Sequence, residues 1–119
     1  MTKNDRIINL VFKSTGLKLD KSQLNSSTIN KTGIYSVEPN VNRKDNDWYL
    51  VLINTKIKKL YVFCIPANDI IYNKLYFRDK KNVYRLLFNV ADENFIELQK
   101  SIRFDKFLVG ECTYQENLF

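Results

Sequence analysis

Apolar positions are densest where Asp47-Trp-Tyr-Leu-Val-Leu-Ile-Asn54 and Leu60-Tyr-Val-Phe-Cys-Ile-Pro66 flank the turn Thr55-Lys-Ile-Lys-Lys59. The pattern predicts a β-hairpin. In the first arm Trp48, Leu50 and Leu52 alternate with Tyr49, Val51 and Ile53; in the second, Leu60, Val62 and Cys64 alternate with Tyr61, Phe63 and Ile65. Neither phase is polar, so both strands are expected to be central and covered on two faces. Val83 to Val90 differs. Tyr84, Leu86, Phe88 and Val90 fall on one face and Arg85 and Asn89 on the other, the mark of a half-exposed strand near an edge. Leu75 to Arg78 joins it through the turn Asp79-Lys-Lys-Asn82 as a second hairpin. Thr32 to Glu38 reads as a short strand ended by Pro39, and Ala67 to Asn73 as a helical turn.

Ile7, Ile8, Leu10, Val11 and Phe12 suit a helix capped by Asn4 or Asp5 and closed by Gly16 in a left-handed conformation. Its apolar arc is wide, which calls for deep packing on a sheet or a shared surface with a partner chain. Leu17 to Lys31 is polar without sustained period and reads as a long loop, and Asn40 to Asn46 as a second, charged one. Asp92 is expected to cap a helix from Glu93 to about Arg103, with Phe95, Leu98 and Ile102 at core spacing. Phe104 to Val109 then packs on, and the last ten residues fray. The expected fold is α+β: an antiparallel sheet of about five strands, two hairpins plus one, flanked by N- and C-terminal helices. At 119 residues it makes one domain, residues 1–119.

Charge adds a bias to this scaffold. The net charge is +6, and residues 1–60 hold 11 bases against 5 acids, while the remainder balances at 8 and 8. An excess concentrated in one half suits a face or arm that meets a polyanion. The start of the chain does not read as a signal peptide, and no run approaches the roughly 20 apolar residues of a bilayer span, so a soluble protein with no membrane partner is expected. Cys64 and Cys112 suggest no disulfide framework; Cys64, inside an apolar run, is expected to be buried and inert, and a cytoplasmic location fits.

The chain has no histidine, which removes serine-histidine and cysteine-histidine catalysis and the commonest metal ligand. Gly16, Gly33 and Gly110 are isolated, so there is no glycine-rich phosphate loop. No catalytic residue, metal ligand or cofactor is assigned. What remains open chemically is carboxylate-bound Mg²⁺ at Glu38, Asp45, Asp47 and Asp69, beside the central hairpin. Gly33-Ile-Tyr-Ser-Val, Asp47-Trp-Tyr-Leu-Val-Leu-Ile and Leu60-Tyr-Val-Phe-Cys-Ile-Pro together resemble the later sheet segment of restriction-endonuclease-like (PD-(D/E)XK) nucleases. The resemblance implies strands that follow a catalytic one. The family's acidic residue followed by Glu-x-Lys or Asp-x-Lys is missing, since Glu38 precedes Pro39-Asn40 and Asp45 precedes Asn46-Asp47.

Basic residues gather on the hairpin turns: Lys56, Lys58 and Lys59 on one, Arg78, Lys80 and Lys81 on the other, with Arg85 on the exposed side of its strand. If both turns share one rim, they form a stripe able to neutralise phosphates, with Tyr35, Trp48 or Tyr76 near enough to stack on a base. The leading expectation is a small non-enzymatic binding or inhibitory accessory module that engages nucleic acid or a nucleic-acid-handling protein, of the kind carried by mobile elements. The alternatives are a Mg-dependent nuclease-like domain and a protein-interaction subunit that forms a homodimer through its N-terminal helix.

Overall fold

The computed structural model describes residues 1–115 and 117–119. The chain is α+β, with one α-helix and seven strands in two sheets among the described residues, where the sequence suggested two helices and about five strands in one. Helix α1 (Lys3–Thr15) is capped two or three residues earlier than the expected Asn4 or Asp5. Thr2 is its cap, in a reciprocal capping box with Asp5, and Gly16 closes it at φ +79° with its N–H on the Phe12 carbonyl.

The strands are β1 (Leu24–Thr28), β2 (Ile34–Val37), β3 (Trp48–Asn54), β4 (Lys59–Ile65), β5 (Tyr76–Arg78), β6 (Val83–Asn89) and β7 (Leu108–Thr113). The larger sheet runs β1-β3-β4-β7 and the smaller β2-β6-β5. The hairpin β3–β4 is the centre of the larger sheet, and Leu50 and Val51, which point opposite ways, are both 0% exposed. The two faces enter two cores. Trp48, Leu50, Leu52, Phe63 and Ile65 pack against Tyr35, Val37, Leu86 and Phe88 of the smaller sheet. Val51, Ile53, Leu60 and Val62 pack under Ile7 and Val11 of α1. The wide apolar arc of α1 is therefore spent on its own sheet, leaving Phe12 exposed.

Four sequence expectations are overturned. Leu24 to Thr28, inside the presumed long loop, is β1, and because it runs parallel to β3 the larger sheet is mixed, not antiparallel. The expected helix Glu93–Arg103 is absent. Asp92 does act as a cap, accepting from Asn94 and Ile96 N–H, but Glu97 draws the next turn away by taking the N–H groups of Gln99 and Lys100 on its own carboxylate. The segment instead lies along β6 where the three-residue β5 no longer covers it, with Leu98 N–H on Leu87 O and Leu87 N–H on Glu97 Oε2. Cys64 is only half-buried, and Cys112 is the buried thiol; desolvation pushes both above their ordinary value. Residues 110–113, expected to fray, belong to β7, and beyond them Phe119 packs edge-on against Tyr114 at 5.2 Å.

The two sheets meet at a corner made by one side chain. Ser27 Oγ of β1 donates to the Ser36 carbonyl of β2 at 2.9 Å and accepts the Ser36 N–H at 3.1 Å. Inside the sandwich, Tyr35 is 1% exposed and its hydroxyl has no hydrogen-bond partner among the described residues. Burial pushes its phenol well above the ordinary range. Since an unpaired buried hydroxyl is a desolvation loss without return, Tyr35→Phe is expected to leave stability unchanged or raise it by about 1 kcal/mol. Urea denaturation measures this, and a loss of stability would show that the hydroxyl is satisfied in solution.

Candidate nucleic-acid interface

The basic residues of the two turns do not lie together. Lys59 shares a hollow with Val90 and Asp92, just past the end of β6, whereas Arg78 to Lys81 precede Val83 at its start, where Val41 N–H bonds Asn82 O. The seven residues of β6, at about 3.3 Å each, put roughly 20 Å between the two turns. The single stripe drawn from the sequence is therefore two separate groups on opposite rims.

At the first rim the cations are largely engaged within the chain. Lys59 pairs with Glu111 at 3.3 Å and lies 5.1 Å from the Tyr61 ring centre, and Glu111 raises its ammonium above the usual range. Lys58, held at φ +53° in the turn, donates to the Gln115 carbonyl.

At the second rim, the register of the smaller sheet builds a cluster. β5 and β6 pair Tyr76 with Arg85, Phe77 with Tyr84 and Arg78 with Val83, so Tyr76, Arg78 and Arg85 share the solvent side while Phe77 and Tyr84 turn inward. Arg78 Nη1 donates to Glu38 Oε2 at 2.5 Å. That hydrogen bond, with the positive charges of Arg78, Lys81 and Arg85 around it, holds the Glu38 carboxyl below the usual range. Arg78 thus pairs with Glu38 directly, the register sets Arg85 across from Glu38 just past the end of β2, and Lys81 lies in the adjoining turn. Tyr76 stands beside them 40% exposed, and Phe77, on the edge strand, is 39% exposed. Arg85 and Tyr76 as a cross-strand pair were visible in the sequence only as alternation; their adjacency needed the register. Of the other aromatics considered for stacking, Tyr35 and Trp48 are core residues, Trp48 donating from Nε1 to the Tyr72 hydroxyl at 2.9 Å.

Three of the four carboxylates considered for Mg²⁺ have partners within the chain, and the fourth, Asp45, ends the short 3-10 turn Val41–Asp45. Glu38 binds Arg78, Asp47 accepts the Ala67 N–H at 2.8 Å, and Asp69 accepts the Ile71 N–H, capping a short 3-10 turn at Ile70–Asn73. Among the described residues, no three His, Cys, Asp or Glu side chains are grouped so as to hold a metal ion. No helix among them is long and apolar enough to cross a membrane. Comparison with protein-family models, curated proteins and solved structures finds no match for this chain.

Proposed function

We propose that the protein is a non-enzymatic binding module that engages single-stranded nucleic acid, free or within a nucleoprotein complex, through the solvent side of its smaller sheet. The observation that carries this reading is the convergence of Arg78, Lys81 and Arg85 around Glu38 beside the exposed ring of Tyr76. Guanidinium and ammonium groups neutralise phosphates, and an exposed ring on a sheet offers a stacking platform that any unpaired base can use. Glu38 keeps Arg78 in place before a ligand arrives, which lowers the entropy lost on binding.

Fluorescence anisotropy with a labelled oligothymidylate, at several salt concentrations, tests the assignment. Each phosphate contact is expected to contribute a log-log salt slope of about 0.7 on a single strand. The pair Lys81→Glu and Arg85→Glu should weaken binding and flatten the slope. Tyr76→Ala should weaken it by about 1–3 kcal/mol with the slope unchanged, since stacking releases no counterions. Lys56→Glu with Lys58→Glu, at the far rim, should change neither. Equal losses from the two rims, or no binding by the folded protein, would overturn the reading.

A further inference from the structure

A second surface, independent of the basic rim, lies along β7. Three of the four sheet-edge strands are blunted: Ser27 and Ser36 join β1 to β2, and β5 is only three residues long. β7 is six residues long and ends the larger sheet. Its sequence, Leu-Val-Gly-Glu-Cys-Thr, carries neither Lys nor Pro, the residues that commonly block edge pairing. Tyr114 N–H donates inward to Lys58 O at 3.0 Å, so the alternation of an antiparallel ladder turns the N–H and C=O groups of Glu111 and Thr113 outward.

Next to this edge is a hollow of about 300 Å³ between the inner face of β4 and β7 and the loop that follows β6. Tyr61, Phe95, Val90 and Leu108 supply the apolar part of a mostly polar lining. Around it stand the carboxylates of Asp92, Glu93 and Glu111 against the single ammonium of Lys59, an acidic local balance on a chain of net charge +6. Glu111 lies on the same face as Tyr61, its cross-strand partner. A strand added to β7 would direct every second side chain to that face, over the hollow.

We propose that β7 receives an extended, basic peptide segment of a partner protein as an eighth strand, with a Lys or Arg side chain of that segment seated over the hollow. Main-chain hydrogen bonds to Glu111 and Thr113 supply the pairing, the rings of Tyr61 and Phe95 hold the aliphatic stem, and Glu93 and Glu111 meet the charge. Charge selects this occupant over a second copy of the chain. An antiparallel pair of β7 strands would bring the Glu111 of each copy towards the other beside Asp92 and Glu93, with Lys59 the one cation lining each hollow to set against them.

The test is an NMR titration of the full chain with the capped peptide Thr-Val-Arg-Val-Arg-Val, with the same peptide carrying Glu for Arg, and with one N-methylated at alternate amides. The Arg peptide is expected to shift the amides of Glu111 and Thr113 and the ring signals of Tyr61 and Phe95. The Glu and N-methylated peptides should each bind about tenfold more weakly or worse. Glu93→Gln with Glu111→Gln, both at exposed positions, should weaken the Arg peptide and leave the Glu peptide bound no more weakly than before, so that the gap between the two narrows. Absence of shifts at millimolar Arg peptide, equal affinity for all three peptides, or a dimer by light scattering that β7 variants dissolve would each overturn the proposal.

Discussion

Replacing Glu97 by alanine is expected to lower folding stability by about 3 kcal/mol, although the residue takes no part in either proposed surface. Its side chain is 0% exposed, yet its carboxylate is satisfied: Oε2 accepts from Leu87 N–H at 2.9 Å, and Oε1 from Gln99 and Lys100 N–H at 2.9 and 2.7 Å. Alanine leaves three donors without an acceptor. Water can reach Gln99 and Lys100, which are exposed, but the Leu87 donor sits in the ladder position that β5 is too short to fill. Glu97→Gln keeps one acceptor oxygen and the shape of the side chain, and should lose about half as much. Urea midpoints of the three proteins decide it: equal stability of the alanine and wild-type chains would mean that the loop at 91–103 contributes nothing to holding β6.

Phe63→Ala should lose about 4 kcal/mol, the scale of an aromatic deletion in a core that cannot collapse around the gap. Phe63 is 0% exposed at the middle of the sandwich and meets the Phe95 ring edge-on, with centres 5.0 Å apart and planes at 78°. Phe95 itself sits at φ +51°, a conformation an aromatic residue holds only under constraint from its surroundings. Losing Phe63 therefore removes a contact that keeps Phe95 in place, and hydrogen exchange at Leu98 should quicken beyond what the global loss accounts for. Phe77→Ala, at the 39% exposed edge, is the control and should cost under about 1 kcal/mol. Comparable losses at the two positions would contradict the placement of the core.

How far the sequence reached depended on whether a signal was local. The hairpin β3–β4 was legible because two apolar phases demand two covers, and the structure supplies them as α1 and the smaller sheet. β1 was not, because Leu-Asn-Ser-Ser-Thr buries only Leu24 and Ser27, and its strand form is imposed by β3 alongside it. Phe95, Leu98 and Ile102 have helical spacing, but Leu98 is 47% exposed and the Glu97 carboxylate outcompetes the helical hydrogen bonds. The basic turns were each visible, whereas their separation follows from the division into two sheets, which no window of sequence contains. The acidic hollow was hidden by averaging. Its residues come from Lys59 to Tyr61, Val90 to Phe95 and Leu108 to Glu111, in a chain whose second half balances acids and bases and so looks featureless by count.

The serine corner has a consequence for how the chain is made. Reading across it, the strands stand in the order β5-β6-β2-β1-β3-β4-β7, which is far from the order in which they leave the ribosome. Helix α1 and β1 leave the ribosome before β3, on which they rest, and β2 waits longer still for β6. Only β3–β4 and β5–β6 can close as soon as they are synthesised. Completing this fold thus waits for its later strands and is governed by long loop closures, and residues 1–40 pass through that interval with the apolar face of α1 uncovered.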